Sequence, residues 1–299
     1  MKLRSVLCVV FTAFVFVMTA SAQQTDGWMR VQTDDGNFSV EVPAEYKYFF
    51  DSNGFVISNG GSSFQLKNMS LFTAYKDGSL LSFEVYDSDR SAVDALYDLD
   101  GKGTRWRKGV SGKIDQVTAR QLEWAGADPV YAVSRFFRIK GKAVVMTAAS
   151  RNGKTDTIAR FFDSATVEPR SDGGTKLSQL TVTEVKIETA VNPPAAPAKV
   201  APRTATKPDP DVKKIVVLRL PRASYVNQAR MNSTSGSIRL KPTFGKDGWV
   251  EHIVITKDLP DGLVRQTLFS AIRTRFLPEE KNGLPISITR TLEYSFSIY

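Results

Sequence analysis

Few side chains in this chain have the types and spacing that catalysis or metal binding requires. The chain has one histidine, His252, and one cysteine, Cys8, which lies in an apolar N-terminal run. A lone histidine cannot complete a nucleophile–histidine–acid triad or a three-histidine metal site. The sequence also shows no paired-carboxylate or metal-ligand spacing. It therefore predicts no catalytic residue, no metal site and no cofactor, and we expect the protein not to be an enzyme.

Two glycine-containing stretches resemble anion-binding sites. Gly153, Lys154 and Thr155 stand between a predicted strand and a predicted helix, as at the end of a phosphate loop, but the glycine required five positions earlier is Ala148. We therefore interpret Thr155 as a helix cap. The stretch DGKGTRWRKGVSGK, which contains Arg105, combines glycines with basic residues. It could bind an anion, although a mobile surface loop explains its composition equally well.

The N-terminus has the pattern of a secretory signal peptide. Two basic residues precede an apolar run, and a small-residue cleavage site ends at Ala22. We therefore predict a signal peptide at residues 1–22. The segment Val6–Ala22 has 17 residues, slightly fewer than the ~20 of a spanning helix, so an uncleaved membrane anchor is the alternative.

The distribution of charge and the cysteine content exclude a class of partner and a class of chemistry. The formal net charge is +9, but the basic residues are interspersed with acidic ones rather than clustered with aromatic residues, so we expect no nucleic-acid partner. Removal of the signal peptide would leave no cysteine, which excludes disulfides and thiol catalysis in the mature chain.

A proline-rich segment divides the chain into two domains. The stretch VNPPAAPAKVAPRTATKPDP holds six prolines and no aromatic residue, so it cannot form a core. We predict an exported α+β domain at 25–190, a Pro/Ala-rich linker at 191–211 and a second domain at 212–299. Prolines favour an extended, semi-rigid linker, and we expect it to hold the two domains apart.

Hairpins and helices alternate in residues 25–190, which favours an antiparallel α+β domain. Turn signals lie at 76–78 and 140–142, and a helix should run from about Thr155. KLSQLTVTEVKIETAV should be the closing strand of this domain. This layout and the RFFDS helix at 160–164 loosely resemble PsbP/Mog1-like exported domains.

The last 88 residues predict a β-β-α-β order. A hairpin has its tip at 246–248 and a bulge near His252. A helix begins near 260–261 and is stopped by Pro278, with Arg265, Arg273 and Arg275 on its solvated face. The final strand, from about Ile286 to Ile298, alternates apolar residues with Ser and Thr.

Residues of about 215–299 resemble the C-terminal domain of the TonB family of energy transducers. The matching motifs are Y-x-x-x-A-R from Tyr225, F-G-K-D-G-x-V from Phe244, R-F-L-P from Arg275, N-G-L-P-I from Asn282, and the aromatic-rich last strand. The resemblance implies a periplasmic interaction domain of a Gram-negative cell, whose partner is an envelope protein such as a TonB-dependent outer-membrane receptor.

The resemblance also implies where a partner binds. An exposed strand edge can accept an extended peptide as a further strand, and the last strand is the predicted platform. The alternatives are that the linker or a second copy of the domain, forming a homodimer, covers this edge, or that the edge has no partner. The predicted partner-binding residues are Tyr225, Ala229, Arg230, Ser287, Thr289, Thr291, Glu293 and Ser295.

Three departures from the family pattern bear on function. The position after Tyr225, usually proline, is Val226; the apolar N-terminal segment has no histidine or acidic residue; and a globular domain precedes the linker. We therefore expect a periplasmic TonB-like binding protein linked to TonB-dependent transmembrane transport. The alternative is a soluble periplasmic ligand-binding protein that uses this domain only for docking or dimerisation. Energy transduction from an inner-membrane anchor would require an uncleaved signal segment.

Overall fold

The computed structural model describes residues 26–59, 62–88, 92–101, 105–114, 117–167, 174–190 and 211–298. The predicted signal peptide and all of the predicted linker except Asp211 lie outside these residues. Within the described ranges, no helix is long and apolar enough to cross a membrane.

The N-terminal domain, residues 26–185, is built mainly from antiparallel strands. Its two helices are α1, Ala92–Gly101, and α2, Asp156–Asp163. Its strands and the strand that follows them are β1 Trp28–Gln32, β2 Ser39–Pro43, β3 Lys47–Asp51, β4 Phe55–Asn59, β5 Ser62–Lys76, β6 Ser79–Asp87, β7 Trp106–Lys108, β8 Gly112–Ile114, β9 Val117–Trp124, β10 Tyr131–Ile139, β11 Lys142–Ser150, β12 Thr175–Lys176 and β13 Lys186–Thr189.

The C-terminal domain, residues 211–298, is smaller. Its helices are α3, Asn227–Met231, and α4, Leu263–Ile272. Its strands are β14 Val212–Lys213, β15 Val216–Arg219, β16 Gly236–Phe244, β17 Val250–Lys257, β18 Arg275–Leu277, β19 Glu279–Lys281, β20 Leu284–Ile286, β21 Ile288–Thr289 and β22 Leu292–Phe296.

A nine-stranded antiparallel sheet forms the centre of the N-terminal domain. Its order is β3-β5-β6-β11-β10-β9-β7, with β4 attached to β5 and β8 attached to β9. The predicted turns join β5 to β6 and β10 to β11, and Asp77 and Gly78 both have positive φ, as a tight hairpin turn requires. The predicted α+β class is confirmed.

The cap on α2 is also confirmed. Thr155 Oγ1 accepts a hydrogen bond from the Ile158 amide at 3.2 Å, and the apolar stripe of this helix is buried. The preceding strand, β11, is antiparallel to both of its neighbours, whereas a phosphate loop follows a parallel strand. The glycine-rich stretch near Arg105 forms the short strands β7 and β8 rather than only a loop; its residues 102–104 lie outside the described part of the chain.

The predicted β-β-α-β order is confirmed in β16, β17, α4 and β22. The hairpin of β16 and β17 has an irregular register beside His252, as the sequence predicts. The apolar faces of this sheet and of α4 enclose a core that includes Ile238, Leu240, Ile253 and Leu263. The outermost predicted core residue of the last strand, Ile298, is 49% exposed and lies beyond the sheet.

The prediction that Pro278 ends α4 is wrong. The helix ends at Ile272, and residues 275–277 form β18, which pairs with β15. The prediction that Arg273 and Arg275 lie on a solvated face is also wrong, because their side chains are only 3% and 1% exposed.

The predicted closing strand of the N-terminal domain belongs to the other sheet. β13 runs parallel to β17 and forms the outer strand of a sheet with the order β13-β17-β16-β22. The proline-rich segment therefore starts next to this C-terminal sheet. At its other end, the Asp211 carbonyl accepts a hydrogen bond from the Asn282 amide. The described residues on either side of 191–210, Ala190 and Asp211, both form backbone hydrogen bonds with the C-terminal domain.

The two domains pack against each other through a shared apolar cluster. Val216, Leu218 and Leu277 join the core beneath α1 and the nine-stranded sheet. Phe269 of α4 stacks on Phe55 of β4, with 5.6 Å between the ring centres. The expectation that the linker holds the domains apart does not fit these contacts.

Candidate partner-binding site

The last strand lies at the open end of the C-terminal sheet. β22 pairs antiparallel with β16, and β21 continues the same register with Thr289 opposite Thr243. β21 and β22 are separated at Arg290, which lies opposite Pro242 of β16. Proline has no amide hydrogen, so it cannot donate to Arg290, although the Arg290 amide still donates to the Pro242 carbonyl at 3.1 Å.

That hydrogen bond fixes which backbone groups of β22 face outward. Successive residues of a strand direct their N–H and C=O groups to opposite edges. Since the Arg290 amide faces β16, the amides of Thr291, Glu293 and Ser295 face away from it. No described strand pairs with this outer edge. It therefore offers unpaired donors and acceptors to an extended segment.

The side chains of the predicted edge residues are exposed as expected. Ser287, Thr289, Thr291, Glu293 and Ser295 are all accessible, whereas Tyr294 and Phe296, on the other face of the strand, are buried. Several of these side chains interact within the domain. Thr289 and Thr243 form a hydroxyl pair at 3.0 Å, and Glu293 forms a 3.2 Å ion pair with Arg239.

The other predicted site residues lie in and before α3. The Tyr225 ring stacks on Phe296 of β22 with 6.0 Å between centres, and its hydroxyl donates to the Thr234 carbonyl. The Arg230 guanidinium lies 5.7 Å from the centre of the Tyr225 ring. Ala229 is completely buried, so it cannot contact a partner and we leave it out of the proposed surface.

On the opposite side of this sheet, β13 pairs with β17 and is the outermost strand. The His252 imidazole lies on that side, with its Nε2 3.2 Å from a carboxylate oxygen of Glu188 in β13. The sequence gives no indication of this pair, because the two residues are far apart along the chain. The sheet therefore ends in β13 on one side and in β21 and β22 on the other, and no described strand pairs with either outer edge.

A sheet with β-β-α-β order and an open last strand agrees with the family suggested by the motifs. Residues 221–298 match the model of the family described as Gram-negative bacterial TonB protein C-terminal. The resemblance is thereby confirmed for this domain. The match covers about a quarter of the chain. No curated protein matches the chain.

The match identifies a TonB-like domain of Gram-negative envelope proteins involved in transport. Domains of this family are non-enzymatic and interact with outer-membrane proteins. The match does not extend to residues 25–190, and the PsbP/Mog1-like resemblance of that domain stays a prediction.

Sequence reasoning missed a buried ion cluster where the TonB-like domain meets the N-terminal domain. Glu84 of β6 is 1% exposed, and its carboxylate oxygens lie 2.8 Å from Arg219, 3.2 Å from Arg273 and 2.7 Å from Arg275. Tyr86 donates a hydrogen bond to the same carboxylate. We call Glu84, Tyr86, Asp100 and the three arginines the interdomain ion cluster.

The protonation states in this cluster follow from burial and charge. Burial alone would raise the pKa of Glu84, but Arg219, Arg273 and Arg275 outweigh it and hold the pKa below its ordinary value. Burial lowers the pKa of Arg275 to about 10, so it stays charged at neutral pH. Asp100 lies 2.8 Å from Arg219, yet burial raises its pKa above the ordinary value.

The only signal of this cluster in the sequence is weak. Glu84 stands in the predicted apolar strand SLLSFEVYD, where an acidic residue in a core position requires a partner. Its partners come from β15, β18 and the end of α4, more than 130 residues away along the chain. The spacing of these residues therefore does not predict the contact.

Proposed function

We propose that this chain is a periplasmic TonB-like protein that binds an outer-membrane or envelope protein through its C-terminal domain. The partner contributes an extended segment that pairs with the outer edge of β22, and this contact is linked to TonB-dependent transmembrane transport. The observation that carries the proposal is the unpaired outer edge of β22, which unlike the outer strand β13 lies within the residues that match the TonB family.

Strand addition fits the chemistry of this edge. Outward amide and carbonyl groups supply the main-chain hydrogen bonds, and small Ser and Thr side chains leave room for a partner strand. The pairing needs no particular partner side chain, since the backbone provides most of the contacts. The family match supports an envelope partner for this domain.

Two substitutions at one position test the pairing. Glu293→Pro removes an outward N–H without breaking a hydrogen bond to β16, so we expect the protein to fold but to lose the partner. Glu293→Gln removes the charge but retains the N–H, and we expect it to keep the partner. A photo-crosslinker at Thr291 should capture an outer-membrane protein in the Glu293→Gln background but not in the Glu293→Pro background.

A crosslinker at the exposed residue Lys113 of β8 is the matched control, because it lies in the other domain and should not capture this protein. If Glu293→Pro and Glu293→Gln captured the outer-membrane protein equally, pairing at β22 would be wrong. Capture of only a second copy of this chain at Thr291 would show that the edge forms a homodimer instead.

The proposal also requires export. The predicted signal peptide should be removed, giving a mature chain that begins at Gln23, which intact mass measurement of the native protein reports directly. A protein that retains Met1 and remains in the inner-membrane fraction would support an anchored transducer and contradict a free periplasmic protein.

A further inference from the structure

A cavity of about 620 Å³ lies between the N-terminal domain and the TonB-like domain. Its walls come from the ends of β4, α1 and α4, from Arg105 and Trp106 of the N-terminal domain, and from residues 218–225 and Arg230 of the TonB-like domain. This volume lies within the range of about 300–1,000 Å³ that is typical of small-molecule sites. Neither domain forms this cavity alone.

The ionisable side chains of the cavity wall are predominantly basic. Asp100 is the one carboxylate among the described lining residues. The five basic side chains are Arg105, Arg219, Arg222, Arg230 and Arg273. The interdomain ion cluster shares Asp100, Arg219 and Arg273 with this wall. It has a positive excess, because its three arginines face only two carboxylates, Glu84 and Asp100. A single anionic group would balance that buried excess.

Arg273 has hydrogen-bonding capacity that the described atoms do not use. Its Nε donates to Glu84 and Tyr86, but no described atom accepts a hydrogen bond from its Nη2. The residue is only 3% exposed and lines the cavity. An unsatisfied guanidinium nitrogen away from water is costly, so the positive charge of Arg273 is incompletely compensated and favours an anion in the adjacent cavity.

The remaining wall is apolar and aromatic. Leu96, Leu99 and Leu218 face the cavity together with Trp106, whose indole N–H is already bonded to the Leu218 carbonyl at 2.8 Å. An apolar ligand body could therefore pack on the Trp106 ring without leaving a polar group unpaired. Arg105 and Trp106 belong to the glycine-rich stretch in which the sequence indicates a potential anion site.

We propose that the interdomain cavity binds a small organic carboxylate with an apolar body. The carboxylate interacts with the arginines of the wall, and the apolar part packs against the leucines and Trp106. One carboxylate matches the single excess positive charge of the ion cluster, and the planar guanidinium group suits carboxylate geometry. This site is independent of strand pairing at β22, so either proposal can fail without the other.

Calorimetric titration of the mature protein tests the proposal with defined probes. Octanoate and indole-3-acetate carry a carboxylate on an apolar body, and octanamide is the neutral counterpart of octanoate. We expect at least one carboxylate to bind and octanamide not to bind. The double substitution Arg222→Gln and Arg230→Gln removes two exposed charges from the wall and should weaken binding by at least about tenfold.

Arg138→Gln is the matched control, since Arg138 is exposed on β10 and does not line the cavity. It should leave binding unchanged. Leu99→Trp should abolish binding by filling the apolar part of the cavity without altering charge. The proposal is overturned if neither carboxylate binds, if octanamide binds as tightly as octanoate, or if the wall variants bind like Arg138→Gln.

Discussion

At the scale of single residues, Glu84 links the two domains through buried ion pairs. Its side chain is buried on β6, and it makes ion pairs with three arginines of the other domain. A buried ion pair is not in itself a large source of stability, because desolvation offsets the attraction. Removing the Glu84 carboxylate has a larger effect than the ion pairs themselves contribute, because it leaves three buried guanidinium groups without their shared counter-charge.

Glu84→Gln should therefore lower the free energy of unfolding by about 3–5 kcal/mol at pH 7. Urea denaturation of the mature protein measures this loss. Glu123→Gln is the control, because Glu123 pairs with the exposed Arg107 at 3.1 Å and a surface pair contributes at most about 1 kcal/mol. Equal losses for the two variants would contradict the role assigned to Glu84.

The lowered pKa of Glu84 also predicts an acid-sensitive interface. Because the folded-state pKa lies below the ordinary value of 4.5, Glu84 stabilises the fold fully above that pH and progressively less as the pH falls toward the lowered pKa. Asp100, whose pKa is raised, contributes with the opposite sign. The stability difference between wild type and Glu84→Gln isolates Glu84 and should shrink between pH 5 and about pH 3, as measured by urea midpoints. A pH-independent difference would contradict this prediction.

At the scale of elements, the hairpin of β16 and β17 packs against the N-terminal domain. Its tip contacts the N-terminal domain, where Lys47 lies 3.3 Å from Asp247. Gly248 in this turn has a φ of +76°, and a Cβ placed there would lie 2.5 Å from a methyl group of Leu80 in β6. The same turn glycine therefore serves both the hairpin and the packing of the two domains.

Gly248→Ala should destabilise the protein by about 2–5 kcal/mol, because a steric clash of about 1–3 kcal/mol adds to the cost of a left-handed backbone. Gly283→Ala is a matched control, with a φ of +77° and open space around the added methyl group. It should destabilise the protein only by the cost of a left-handed backbone, about 1–2 kcal/mol. Thermal unfolding of both variants measures the difference, and a Gly283→Ala loss as large as that of Gly248→Ala would argue against close packing at the hairpin tip.

At the scale of the whole molecule, the two domains are held together by more than the chain that connects them. The apolar contact around Phe269, the interdomain ion cluster and the addition of β13 to the C-terminal sheet all join residues from both sides of the proline-rich segment. Because β13 pairs beside that segment, a cut within 191–210 leaves all these contacts in place.

A protein with an engineered protease site within 191–210 should therefore remain associated after cleavage. We expect the two pieces to co-elute in size-exclusion chromatography at micromolar concentration and to separate only when urea is added. A cut Glu84→Gln protein should separate at a lower urea concentration. Separation of the wild-type pieces in buffer alone would show that the domains depend on the linker.

The sequence by itself determined the elements whose signals are local. The alternation of the last strand, the tight turns, the Thr155 cap and the TonB-like motifs all depend on residues close together along the chain, and the structure or the family match confirms them. The structure alone decided where β13 pairs, where α4 ends and which arginines are buried. Those outcomes depend on partners from distant segments, such as Glu84 for Arg273, and periodicity carries no information about them. That β22 is an outermost strand also became evident only from the strand order of this sheet.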